Sequence, residues 1–138
     1  MIVVDVNVLV NLLFDGPKTQ VARDLYEMDK DWHAPELLMH ELMNVLASMG
    51  KFKGVPIHDC EEAWKIGTIV MMNGLEKVNA AETLRLAIEQ NIASYDAQYV
   101  ILARARKRRL ITEDHQLLKR FPNDTQSIAD SLKRLSRN

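Results

Sequence analysis

Cysteine is almost missing from this chain: Cys60 is the only one in 138 residues. No intrachain disulfide can form and no Cys-rich zinc site can be built, which fits a reducing compartment. Long apolar runs are also lacking, since no stretch approaches the roughly 20 consecutive apolar residues that span a bilayer. The apolar start is broken by Asp5, reaches Asp15 soon afterwards and has no basic segment ahead of it. No signal peptide is therefore expected, and the protein is placed in the cytoplasm, off the membrane. Five glycines and four prolines beside 47% hydrophobic residues describe an ordinary globular chain. No repeat, low-complexity tract or linker divides it, and the length suits one core rather than two, so residues 1–138 read as a single domain. Signatures of several enzyme classes are absent as well: there is no Ser-His-Asp arrangement, no Gly-rich phosphate loop and no plausible Cys nucleophile. His33, His40, His58 and His115 show no paired metal spacing and read as structural or surface residues.

What the chain does have is four carboxylates inside apolar patterns. Asp5 interrupts Met1-Ile2-Val3-Val4-Asp5-Val6-Asn7-Val8-Leu9-Val10. Glu41 lies within the helical stripe of Leu38, Leu42, Val45, Leu46 and Met49. Asp96 precedes Tyr99, Val100 and Ala103, and Asp114 precedes Leu117 and Leu118, at helical spacing. Burying four ionised carboxylates without compensation is too costly to be stable. Two of them about 5 Å apart would repel by roughly 3 kcal/mol at an effective dielectric near 20. A divalent cation held by oxygen ligands relieves that repulsion, so the pattern points to metal-dependent phosphoryl transfer. For Asp96 or Asp114 taken alone, a helix N-cap is the simpler reading, and Glu41 alone could be a polar helix edge. Asp5 needs a partner wherever it sits.

The net charge of −1 leaves +3 on the rest of the chain once these four acids are set aside. A polyanion would then need a local basic patch. Arg104, Arg106, Lys107, Arg108 and Arg109 form the obvious one, although cations also favour a helix C-terminus through the macrodipole.

The periodicity predicts strands at 2–5, 32–34, 75–78, 109–112 and near 126–128. Helices are expected at 7–14, 19–28, 36–49, 57–72, 80–90, 96–107 and 114–119 and at the C-terminus, with 50–54 as a loop. Alternation of this kind implies an α/β sandwich, three layers deep, around a central mostly parallel sheet of four to five short strands. In open parallel sheets the functional crevice lies beyond the carboxyl ends of the strands. Asp5 and Asp114 follow strands, and Glu41 and Asp96 can reach the same edge from the starts of their helices.

The chain resembles the PIN-domain ribonucleases, and specifically the toxin subunits of VapBC-type toxin–antitoxin pairs. The residues that carry the likeness are Val3-Val4-Asp5-Val6-Asn7-Val8-Leu9, Pro35 through Leu46 around Glu41, Tyr95-Asp96-Ala97-Gln98-Tyr99 and Leu110-Ile111-Thr112-Glu113-Asp114. The resemblance implies a three-layer PIN-like fold and an acidic metal site of Asp5, Glu41, Asp96 and Asp114. It also implies Mg²⁺ or Mn²⁺ as cofactor and single-stranded RNA as substrate, with Asn7 and Thr112 bracing the site. Asp114 rather than Glu113 matches the last acidic position, and Val6 stands where many members carry Thr or Ser. A homodimer and a protein antitoxin are further expectations of the resemblance. Two other readings stand beside it. Asp5-x-Asn7 after a first strand weakly resembles haloacid dehalogenase-like phosphatases, and a non-catalytic RNA- or partner-binding module could use the same fold.

Overall fold

Ile2–Val4 forms strand β1 because three consecutive β-branched residues suit a strand buried on both faces. The chain then alternates helices and strands in the computed structural model, which describes residues 1–137. Helices α1 (Val6–Leu13) and α2 (Thr19–Met28) lead to β2 (Trp32–Pro35), and α3 (Leu37–Phe52) and α4 (Ile57–Met71) lead to β3 (Leu75–Glu76). Helices α5 (Ala80–Gln90) and α6 (Ser94–Ala105) lead to β4 (Leu110–Ile111). The chain closes with α7 (His115–Arg120), β5 (Thr125–Gln126) and α8 (Ile128–Ser136).

The strands order as β3-β2-β1-β4-β5 and every pairing is parallel. From β1 the chain steps through β2 to β3 in one direction, then returns across the sheet to β4. Right-handed crossovers therefore put α1 to α4 on one face and α5 and α6 on the other. The packing follows: α6 lies on β1, β2 and β4 with α5 against it, while α1 contacts α2, α3 and α4, and α8 closes on α2. This is the expected three-layer α/β/α architecture.

The core is aliphatic and continuous across the layers. Val3, Val4, Leu9, Leu38, Leu42, Met71, Val100, Leu110 and Ile111 are all fully buried. Where the structure departs from the sequence reading, local geometry explains it. Helix α3 runs through Gly50 and stops only at Lys53, because Gly54, with φ of +68°, supplies the left-handed residue that ends it. Strands β3 to β5 are only two residues long, shorter than the sequence pattern suggests. Gly74 precedes β3 because a Cβ there would overlap the Trp32 carbonyl. Met71 joins the core, whereas Ile69 and Met72 face outward.

Candidate active site

Reversal of strand order between β1 and β4 opens a crevice at their carboxyl ends. The register pairs Val3 with Leu110 and Val4 with Ile111. That register carries Asp5 and Thr112 off adjacent strand ends together. Asp5 is 6% exposed and takes three kinds of donor. The Val6 N–H donates to its Oδ1 at 2.7 Å, and it thereby caps α1. The Thr112 hydroxyl donates to its Oδ2 at 2.8 Å, and Asn7 Nδ2 approaches the same oxygen at 3.3 Å.

Thr112 is the hub of this edge. Its hydroxyl oxygen also accepts from Asn7 Nδ2 at 3.2 Å and from the Asp114 N–H at 3.0 Å. Asn7 Oδ1 in turn accepts from the Glu113 N–H at 3.1 Å. The two residues expected to brace the site are thus bonded to each other and to Asp5.

The other acids arrive on helices that begin at this edge. Glu41 sits one turn into α3, half-buried, and accepts the Tyr99 hydroxyl proton on Oε1 at 2.6 Å. Asp96 lies in the first turn of α6, where Ala93 holds the N-cap position, so Asp96 is not a cap. Asp114 does cap α7, accepting from Gln116 and Leu117 N–H groups on Oδ1. Its Oδ2 is left for other partners. Glu113 is engaged elsewhere: Oε2 pairs with Lys18 Nζ at 2.8 Å and Oε1 accepts from the Ile128 N–H at the start of α8. That leaves Asp114 as the acid turned to the crevice.

The four carboxylates feel one another. Burial pushes the Asp5 carboxyl up to about 6, opposed by its hydrogen bonds from Thr112 and Val6 and reinforced by the Glu41 and Asp96 charges. Burial also raises Glu41, with the Tyr99 bond lowering it and the Asp96 charge raising it. Asp96 is raised by burial and then by Asp114. Tyr99, 1% exposed, is driven far above its ordinary range by burial and by the Asp5 charge, so its hydroxyl keeps its proton. Among the described residues no Lys, Arg or His forms an ion pair with any of the four acids. Hard oxygen donors in excess, without a protein cation, suit a hard divalent ion. Among the described residues no three of them yet approach a common point at ligand distance.

Tyr99 is the site residue that the sequence reading missed. It sits one helical turn after Asp96 in an apolar stripe and looks like core, but a buried tyrosine hydroxyl needs a partner. The basic run lies elsewhere. Arg104 forms a two-bond pair with Asp124, Arg106 pairs with Glu76, and Arg108 Nε donates to the Met1 carbonyl. These residues end α6 and precede β4, at the amino edge of the sheet, away from the acids. His40 and His115 are exposed beside Glu41 and Asp114, and His33 is held between Asp31 and Glu76.

Known proteins show the same plan. Ribonuclease VapC3 of Pyrobaculum aerophilum is 25% identical over 126 residues, covering 88% of this chain and 95% of that protein. The crystal structure of PAE2754 from Pyrobaculum aerophilum matches with a TM-score of 0.76 at 20% identity, over 99% of this chain and 96% of that one. FitAcB from Neisseria gonorrhoeae matches with a TM-score of 0.64 at 15% identity, over 92% and 96%. At those identities the two structures speak for the fold alone. The family model for the PIN domain matches residues 2–123, a span that runs from β1 past α7 and takes in every strand end and helix start that carries one of the acids. The chain belongs to the PIN domain family.

Proposed function

We propose that this chain is a metal-dependent endoribonuclease and the toxin half of a toxin–antitoxin pair. One observation carries the reading: Asp5, Glu41, Asp96 and Asp114 lie at the strand edge where the topology reverses, burial and neighbouring acid charges raise the first three, and among the described residues no side-chain cation pairs with any of the four. Membership of the PIN family and the likeness to a protein named as a ribonuclease support RNA as substrate.

Asp5, Asp96 and Asp114, with Glu41, would hold Mg²⁺ or Mn²⁺. When bound, the ion supplies Lewis-acid polarisation of a phosphoryl oxygen and lowers the pKa of a coordinated water. The chain's own residues set the geometry. Thr112 and Asn7 fix Asp5 at the end of β1, and Tyr99 fixes one oxygen of Glu41. The Asp96 side chain forms no hydrogen bond among the described residues, so its carboxylate is held by no partner within the chain. In-line attack by water on the phosphorus forms one P–O bond and breaks the bond to the 3′ oxygen, which leaves with a proton. The products are a 5′ phosphate and a 3′ hydroxyl, and the 2′ hydroxyl is not needed as nucleophile.

An antitoxin segment bearing Arg or Lys would inhibit by pairing with these carboxylates and competing with the metal. The test is cleavage of single-stranded RNA by the purified protein. Activity should vanish with EDTA and in Asp5→Asn and Glu41→Gln, both retaining the parent circular dichroism, and the products should carry 5′ phosphates. Undiminished cleavage by Asp5→Asn would sink the mechanism.

A further inference from the structure

A groove of about 700 Å³ runs along the amino edge of the sheet, between the α6–β4 turn, the start of β1 and α8. Lys107, Arg108 and Arg109 line it from the turn, and Arg134 lines it from α8. Lys107 has φ of +54°, a left-handed residue that turns the chain tightly enough to gather three cations at one place. Asp29 and Asp124 share the wall, but both are already matched. The Met1 amino group lies 2.8 Å from Asp29, and Arg104 Nη2 lies 2.8 Å from Asp124. Among the described residues Lys107, Arg108, Arg109 and Arg134 pair with no carboxylate; the Met1 and Lys107 carbonyls steady Arg108, and Arg134 Nη1 donates to Gln126 Oε1. In a chain whose net charge is −1, four uncompensated cations on one concave surface form a strong local field.

We infer that this groove binds the phosphodiester backbone of the RNA substrate at a second place, remote from the acids; the inference rests on the ribonuclease reading for the identity of the polyanion. The register sets the span. Arg109 precedes Leu110, the partner of Val3, so it stands three residues short of the Asp5 level. That is about 10 Å along the strands, a distance that a few nucleotides cover. A strand held in the groove reaches the carboxyl edge at raised effective concentration. Spaced cations in a mainly polar lining suit a repeating phosphate chain better than a peptide, which would need side-chain pockets.

The triple variant Lys107→Gln, Arg109→Gln, Arg134→Gln tests this while sparing Arg104, paired with Asp124, and Arg108, bonded to the Met1 carbonyl. Binding of a fluorescent single-stranded RNA long enough to reach both edges is measured by anisotropy in EDTA over a salt series. The variant should bind about tenfold more weakly, and the salt slope should fall by about 2, near 0.7 per lost phosphate contact. With Mg²⁺, cleavage of an oligonucleotide too short to leave the acidic edge should be unchanged. Unaltered affinity and slope would overturn the assignment, as would binding of polyglutamate in preference to RNA by the parent. A parent that binds RNA through the groove but cleaves none would instead remove the ribonuclease reading and leave the groove's role intact.

Discussion

The Tyr99 hydroxyl donates to Glu41 Oε1 at 2.6 Å from a position that is 1% exposed. This short bond joins α6 to α3 and leaves Glu41 one oxygen with a fixed direction. The tyrosine proton cannot be shed to ease repulsion, because burial and the surrounding carboxylates drive its acidity far out of range. Tyr99 therefore acts on any bound ion through Glu41, as a positioning residue.

Tyr99→Phe should keep the fold, since the ring and its packing remain. Outer partners that orient a ligand typically change metal affinity by 10-fold or more. We expect Mn²⁺ affinity, measured by calorimetry on the RNA-free protein, to drop about tenfold. The fall in kcat should be partly restored by excess Mn²⁺, with KM for RNA little changed. Equal Mn²⁺ affinity in parent and variant would mean that the bond is only a packing feature.

Stability in EDTA should depend on pH through Asp5. Its carboxyl is raised to about 6 from an ordinary 3.8, so the folded state holds a proton that the unfolded chain releases. The stabilising contribution is complete below about pH 4 and is lost as pH rises through about 6. The shift corresponds to about 3 kcal/mol at most. Other acids titrate over the same range, so the quantity to read is the difference between parent and Asp5→Asn. That difference should move toward the variant between pH 4 and 7. Saturating Mg²⁺ at pH 7.5 should raise the parent melting temperature, with about 2.7 kcal/mol expected at 100 times Kd. A flat difference across pH, together with no response to Mg²⁺, would count against a preformed acidic site.

Much of this was legible in the chain because the features are local. Asp5 at the end of an apolar run and Asp114 ahead of Leu117 announce strand ends and helix starts, and the alternating pattern fixed the layers. The resemblance of the four motifs implied that the four acids share one edge of the sheet. Features that depend on distant partners were hidden. Tyr99 in an apolar stripe is indistinguishable from core until α3 is seen to bring Glu41 beside it, 58 positions away. The basic run looks uniform in sequence, but Arg104 and Arg106 are neutralised by residues 20 and 30 positions distant. What remains of the run gains Arg134 from α8, a neighbour that no spacing rule would suggest. Gly50 looked like a helix end, yet only the positive φ at Gly54 stops α3.

Helix α4 and its C-cap residue show Ile66, Ile69 and Met72 at 48%, 66% and 63% exposure. Ile66 and Ile69 lie three residues apart on one outward face, with Met72 a turn beyond. Met71, within the same helix, is fully buried and plays no part. Leaving this stripe in water forfeits apolar burial worth roughly 25 cal/mol per Å², and an isologous contact lets the same stripe cover itself on a second copy. The isolated protein should therefore scatter light as a dimer at micromolar concentration. Ile66→Glu combined with Ile69→Glu should give a monomer with an unchanged circular dichroism spectrum, because both side chains lie outside the core. Two outcomes would refute dimerisation through α4: a monomeric parent, or a double variant that stays dimeric.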